Sequence, residues 1–350
     1  MSSSQNLRNA NKAKNDEFYT ELSEIEKELN YYSDKFEGKT VFCNCDDPFE
    51  SNFVKYFIMH FNSLKLKALY ATGYLISPIV NTELRVDKKL IPYSLYVTDT
   101  SKYLIGDQTD LDIYTAKYFI ETEGKRVMTP LRGDEKYVAG DFRSNECLDI
   151  LMKSDVVVTN PPFSLFREYI ALLYKYNKQF IILGNMNSIN AKEIFPLFKD
   201  NKVWLGCNNG SKEYETSEKY AKENPQKVYM KNNKYYTKLG NTCWYTNIDH
   251  IKRHTLIPMD LGHEYYGFEN QYDKYDNYNA INIDRLSDIP YDYDGVMGVP
   301  ISFMEKYCPE QFEIIGLERY TCPKEVLVGG RLAIGGVSKY ARILIKRKDL

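Results

Sequence analysis

The chain has 350 residues, 48 acidic against 46 basic, for a formal charge of −2. That length accommodates a full catalytic domain with a smaller second region, and near-neutrality confines any nucleic-acid contact to local basic patches. Seven cysteines, an odd number without paired Cys-x-x-Cys spacing, argue for reduced thiols and against a disulfide framework.

Residues 1–14 open on the polar run Met1-Ser2-Ser3-Ser4-Gln5-Asn6, which lacks a signal-peptide core, and continue as a basic arm with Arg8, Lys12 and Lys14. No stretch has the apolar length of a membrane span, so a cytoplasmic protein is expected. Asn15-Asp16-Glu17-Phe18-Tyr19-Thr20 precedes a helix through Ile25 and Leu29. Thr40-Val41-Phe42-Cys43-Asn44-Cys45 reads as the first sheet strand, turned by Asp46-Asp47-Pro48. Phe49, Phe53, Phe57 and Phe61 then recur on one helical face, with Ser51 or Asp47 as the cap. The turn contains no Gly-x-Gly, so it does not match the usual dinucleotide fingerprint. Cys43-x-Cys45 has no second ligand pair, and no metal site is expected. A second strand, Lys67 to Thr72, ends in Thr72-Gly73-Tyr74 rather than in an acid. Residues 75–135 alternate irregularly and suggest a hairpin insertion; Gly140-Asp141-Phe142 then forms a turn.

Three consecutive valines, Val156 to Val158, predict a short strand buried on both faces, as in a parallel sheet. Pro161 and Pro162 donate no backbone N–H, so the strand stops at Asn160, which its following proline holds extended. A rigid corner of Asn160, Pro161, Pro162 and Phe163 therefore sits at the carboxyl end of a parallel strand, where open α/β sheets bind ligands. Read by itself, it could also be a proline turn with a core phenylalanine.

Beyond the corner, Phe166, Ile170, Leu172 and Leu173 mark an amphipathic helix. Phe180 to Asn185, Val203 to Gly206 and Cys243 to Asn247 read as further strands. Residues 208–240 interleave Lys212, Lys219, Lys222, Lys227, Lys231, Lys234 and Lys238 with tyrosines and glutamates, which fits either a solvated loop and helix face or a DNA-facing insertion. Residues 262–295 lack apolar periodicity and read as a long functional loop rather than core. Glu313 to Leu317 and Ala341 to Ile345 predict strands of a small C-terminal unit that ends in Lys346-Arg347-Lys348.

Asn160-Pro161-Pro162-Phe163 resembles the catalytic motif of AdoMet-dependent amino methyltransferases, above all the DNA adenine-N6 enzymes. Cys43-Asn44-Cys45-Asp46-Asp47-Pro48 with Ser51-Asn52-Phe53, the stretch Lys14 to Thr20, and Gly298-Val299-Pro300-Ile301-Ser302-Phe303 extend this to the EcoRI-type adenine-specific DNA methyltransferase family across almost the whole chain. The resemblance implies a Rossmann-like α/β methyltransferase fold with a mostly parallel sheet, DNA-contacting insertions and a small C-terminal unit. It implies S-adenosyl-L-methionine as cofactor, held by Phe18, Tyr19, Thr20, Asn44, Asp46, Asp47, Gly140, Asp141 and Asn160. Asp46 and Asp47 would take the ammonium of the methionine part, Asp141 the adenine amino group. Asn160, Pro161, Pro162 and Phe163 would be catalytic, with a carbonyl pair accepting the target amino hydrogens and Phe163 stacking on a flipped base.

The expected organisation is an arm and cofactor motif at 1–30, a catalytic domain at 31–255 with its Lys-rich insertion at 208–240, and a target-recognition region at 256–350. The expected partner is double-stranded DNA bearing a specific short sequence, with a possible cognate restriction endonuclease and a monomeric enzyme. Lys212, Lys231 and Lys234 are the candidate phosphate contacts. Asn277 and Arg285 are the candidate base readers, alongside Asn270, Gln271, Asn279 and Asn282. Rival readings are an amino methyltransferase acting on RNA or a protein glutamine, a catalytically silent DNA-binding protein, and a restriction nuclease.

Overall fold

The computed structural model describes residues 19–73, 92–124, 127–210, 212–216, 218–258 and 263–348. The chain divides into two compact units, residues 1–185 with 208–248, and residues 186–207 with 249–350.

The first unit is built on a sheet whose strands are β1 (Thr40–Cys43), β2 (Ala68–Thr72), β3 (Tyr93–Val97), β4 (Met128–Pro130), β5 (Val156–Thr159), β6 (Gln179–Asn185) and β7 (Thr242–Thr246). Their spatial order is β4-β3-β2-β1-β5-β6-β7. β2, β1, β5 and β6 are parallel, while β3 runs against β2, β4 against β3, and β7 against β6. The parallel centre follows from composition, since Val41 to Cys43, Val156 to Val158 and Phe180 to Leu183 are all fully buried and such strands need cover on both faces. The chain moves from β1 outward to β2, then crosses back so that β5 lies on the other side of β1. That reversal is a topological switch point, and it opens a crevice beyond the carboxyl ends of β1 and β5.

The helix Asn52–Met59 buries Phe53 and Phe57, with Phe61 buried just beyond it, as the four-residue spacing predicts. Of the expected insertion at 75–135, residues 75–91 lie outside the described residues. The remainder does more than form a hairpin, since β3 and β4 continue the main sheet and the helix Ile113–Phe119 lies between them in sequence. Residues 208–240 keep a short helix, Glu218–Glu223, but carry strands in place of loop. Lys212–Thr216, Lys234–Leu239 and Val228–Lys231 form an antiparallel sheet that Tyr19–Thr20 joins at the edge. The reason is the two-residue alternation of this segment, which buries the cross-strand pair Tyr214 and Thr237. Asn232 and Asn233, at φ 50° and 60°, make the hairpin turn, the left-handed pair that a two-residue connection requires.

In the second unit, Ile281–Asn282, Val296–Pro300, Arg342–Arg347 and Phe312–Leu317 pair in that order. Residues 186–207, which the sequence placed with the catalytic domain, belong here. Phe195 and Phe198, on the helix Phe195–Lys199, are buried, and this helix packs on the strand Phe312–Leu317. Apart from the strand Ile281–Asn282 and short 3-10 turns, residues 263–295 are irregular as expected, yet they supply core. Tyr275 and Ala280 pack with Cys322, Leu332 and Leu344, and Ile281, Ile283 and Ile289 are buried. Isolated plugs of this kind have no period for the sequence to display. Gly298 makes room for one of them, because a Cβ there would fall 2.5 Å from the Tyr275 hydroxyl.

Candidate active site

The site begins where β5 runs out of backbone donors. Thr159, its last residue, receives the Cys45 N–H at 3.2 Å and donates its own hydroxyl to the Asp46 carboxylate. The other Asp46 oxygen accepts the Ser51 hydroxyl at 2.7 Å. Ser51 in turn caps the helix Asn52–Met59 by accepting the Phe53 and Val54 N–H groups at 3.0 and 3.4 Å. The Asp46 N–H donates to the Thr72 carbonyl at 3.2 Å, and the Thr72 hydroxyl to the Asn44 carbonyl at 3.1 Å. The buried Asp46 carboxylate thus ties the carboxyl end of β5 to the β1 turn, and backbone groups of that turn hold the end of β2.

Asp47 faces differently. One of its oxygens accepts the Phe49 and Glu50 N–H groups at 2.9 and 3.1 Å, and burial pushes its carboxyl above the usual carboxylate range. The chain leaving β2 passes close by, for a Cβ on Gly73 would sit 3.1 Å from the other Asp47 oxygen. Asn44, only 1 % exposed, accepts the Tyr169 hydroxyl and the Cys45 thiol (3.3 Å) on its side-chain oxygen. Its amide nitrogen is buried and has no hydrogen-bond partner among the described residues.

The Gly140-Asp141 turn is real, with Gly140 at φ 76°. Both oxygens of the buried Asp141 carboxylate are gripped by Arg143, through Nε at 2.9 Å and Nη2 at 2.7 Å. Arg143 also lies over the Tyr137 and Phe142 rings and reaches Glu168 at 3.1 Å. The hydrogen bond to Asp141 holds its guanidinium even more firmly protonated than usual. Phe142 meets the Tyr169 ring edge-on at 5.0 Å, so this turn and the Asn44 turn share a wall.

Asn160 and Phe163 are half-buried at the mouth of β5, with Pro161 buried between them. The Asn160 amide nitrogen lies 3.5 Å from the Thr20 hydroxyl oxygen. Thr20 is anchored where its carbonyl accepts the Asn52 amide at 2.8 Å. The structure therefore gathers Thr20, Asn44, Asp46, Asp47 and Asn160 from three separate stretches of sequence. Phe18 lies outside the described residues, and only the backbone of Tyr19 is described. Sequence reasoning did not single out Thr159, Tyr169 or Arg143 for this site. The arginine two residues after Asp141 was the one available signal. Among the described residues no cluster of His, Cys, Asp and Glu could hold a metal ion.

This crevice can be set beside known proteins. The sequence model of the family described as "Adenine-specific methyltransferase EcoRI" matches residues 6–348. The chain belongs to this family. It is 42% identical to the Type II methyltransferase M.EcoRI of Escherichia coli, over 98% of this chain and 97% of that one. It is also 33% identical to M.MgeORF184P of Mycoplasma genitalium, over 97% and 98% of the two chains, and 33% identical to M.MpnI of Mycoplasma pneumoniae, over 87% and 83%. No solved structure matches. The enzyme is an adenine-specific DNA methyltransferase of the EcoRI type.

The remaining candidates of this methyltransferase are its cations and loop amides. Lys212 does not reach solvent. Its side chain is 3 % exposed and pairs with Glu24 at 2.9 Å, so its charge is consumed inside the fold. Lys231 and Lys234 flank the hairpin turn and are exposed, Lys231 at 2.8 Å from Glu213. In the second unit, the Asn277 amide donates to the Val326 and Arg331 carbonyls and accepts the Ala333 N–H. It braces two loops and has no group left for a base edge. Asn282 is similarly engaged by Tyr275, Arg342 and Asp284. Arg285, Asn270, Gln271 and Asn279 are exposed. No helix among the described residues is long and apolar enough to cross a membrane.

Proposed function

We propose that the enzyme moves a methyl group from S-adenosyl-L-methionine to N6 of an adenine extruded from a specific short sequence in double-stranded DNA. One observation carries this reading: Asn160 stands at the end of β5 within reach of Thr20, beside the turn that holds Asn44 and Asp47. The residues suit the donor. The unpartnered amide of Asn44 and the second oxygen of Asp47 are a donor and an acceptor for an amino-acid moiety, Asp141, expected from the sequence to take the adenine amino group, instead has both oxygens held by Arg143, and Thr20 and Tyr19 border the same end. AdoMet supplies a methyl group already activated on a sulfonium.

The chain's own part is to make a poor nucleophile competent. The exocyclic amino lone pair of adenine is delocalised into the ring. Asn160, through its side-chain carbonyl, and Pro161, through its backbone carbonyl, accept the two amino hydrogens and localise that lone pair. Pro162 stiffens the corner, and Phe163 stacks on the base once it has left the duplex. Asp46, whose oxygens are taken by Thr159 and Ser51, holds the corner in place instead of gripping the donor. Lys231 and Lys234 contact phosphates, and residues 262–295, with Arg285 foremost, read the sequence. A paired restriction endonuclease and a monomeric enzyme belong to the same proposal.

The family match supports adenine as the target and lends nothing to the RNA or protein-glutamine reading. The test is Asn160→Ala. Turnover should fall about a hundredfold or more, while binding of S-adenosylhomocysteine, followed by calorimetry, stays near wild type. A variant with near-normal turnover would remove Asn160 from the chemistry.

A further inference from the structure

The sheet at 212–239 shares a face with the catalytic corner. Thr20, whose hydroxyl lies 3.5 Å from the Asn160 amide, stands opposite Tyr214, Tyr214 opposite Thr237, and Thr237 opposite Val228. Side chains directly across antiparallel strands point to the same side, so these four form one row. Two residues nearer the hairpin tip, the next row on that side is Thr216, Tyr235 and Met230. Burial falls away along this face. Thr20, Tyr214 and Thr237 are buried, Val228 and Tyr235 are half-buried, and Met230 is 62 % exposed. The sheet therefore overhangs the body of its unit, and the side chain it carries out on this face is apolar. Around Met230 the tip is polar and basic, with Lys231, Asn232, Asn233 and Lys234 all exposed.

We propose that Met230 is a wedge that enters the base stack beside the extruded adenine, while Lys231 and Lys234 pin the tip to the flanking phosphates. The reach suits this role. Three strand spacings of about 4.8 Å and two residues of about 3.4 Å put Met230 roughly 16 Å from Thr20. That is enough to cross a groove about 6–12 Å wide while the target base lies at Asn160. The chemistry suits it too. Extrusion costs the stacking of the adenine, and an unbranched apolar side chain in its place restores contact without needing a hydrogen bond. Lys231 keeps its exposure although Glu213 lies at 2.8 Å, and charge complementarity between this tip and phosphate selects duplex DNA as the occupant. The wedge deepens the reading of an extruded adenine and rests on it.

The test uses duplexes carrying the site that sequencing of enzyme-methylated DNA reports. In one the target adenine is paired with thymine; in the other it faces an abasic position, where extrusion is already easy. Met230→Ala should lower turnover on the paired duplex by about tenfold, and on the abasic one by no more than about twofold. With 2-aminopurine at the target position, the fluorescence rise on binding should shrink in this variant, while duplex affinity stays within about threefold of wild type. Met230→Leu, which keeps an apolar side chain of similar size, should restore both turnover and signal. An equal loss on the two duplexes would make Met230 a groove contact and overturn the proposal. Unchanged turnover on the paired duplex would give Met230 no part and overturn it as well. Wild-type enzyme that methylates the paired duplex with no fluorescence rise would remove base extrusion itself, and the wedge with it, a result distinct from either.

Discussion

The residue at which most of the site's geometry converges is Asp46, and the hydroxyl that matters most to it is that of Thr159. One short side chain receives an N–H from the β1 turn and gives its hydrogen to the buried carboxylate. Thr159→Val keeps the shape and deletes the hydroxyl, leaving Asp46 short of a donor in a buried position. Stability should drop by about 1–3 kcal/mol or somewhat more, read as a lower denaturant midpoint at unchanged slope, and Thr159→Ser should restore most of it. A second residue-scale constraint is Gly184 in β6. A Cβ there would lie 2.5 Å from the Phe166 ring and 2.9 Å from Tyr245, two aromatics that pack against each other at 4.8 Å. Gly184→Ala should therefore cost about 1–3 kcal/mol by overpacking, and a melting temperature equal to wild type would contradict it.

Among the elements, the sheet at 212–239 separates lysines that the sequence presents as equivalent. Lys212 lies in the first strand, on the buried face with Glu24, whereas Lys231 and Lys234 frame a hairpin tip. Lys212→Met should lower stability by about 1 kcal/mol, since one Glu24 oxygen loses its partner while Lys27 keeps the other at 2.8 Å, and should leave the salt dependence of DNA binding unchanged. Lys231→Gln and Lys234→Gln should do the reverse. Each should leave the melting temperature nearly untouched and reduce the slope of log K against log salt by about one. Fluorescence anisotropy with a DNA duplex at several salt concentrations measures this, and a slope insensitive to both hairpin lysines would take the hairpin out of the DNA contact.

For the whole molecule, stability should vary with pH in part through the second unit, where His254 sits between Glu310 (Nδ1, 2.8 Å) and Asp249 (Nε2, 2.9 Å). Hydrogen bonds first to Glu310 and then to Asp249 raise its pKa above the ordinary histidine value. A raised folded pKa means that the protonated ring stabilises the fold fully below the unfolded value, near 6.5. That stabilisation is lost as pH climbs through the folded value. Comparing wild type with His254→Gln, the gap in melting temperature should be wide at about pH 5.5 and nearly closed at about pH 8.5. Because the ring is partly exposed, the gap should also shrink in high salt; a gap that widens toward alkaline pH would refute the assignment.

Much of this enzyme was legible from local chemistry. Three valines and two prolines suffice to place a buried strand and its end, a phenylalanine every four residues places a helix face, and motifs that keep their order identify the family. These are short-range statements, settled by backbone sterics and by the periodicity of side chains along one element. What only the tertiary structure decided was which of several chemically similar groups still has a hydrogen bond to give. Asp46 and Asp47 are neighbours in sequence, yet one is consumed by Thr159 and Ser51 and the other keeps an oxygen open. Lys212 and Lys231 read alike until one is buried, and Asn277 reads as a base reader until two distant carbonyls take its amide. Partners of this kind come from residues tens to over a hundred positions away, so the polarity of a side chain is written in the sequence but its availability is set by the fold.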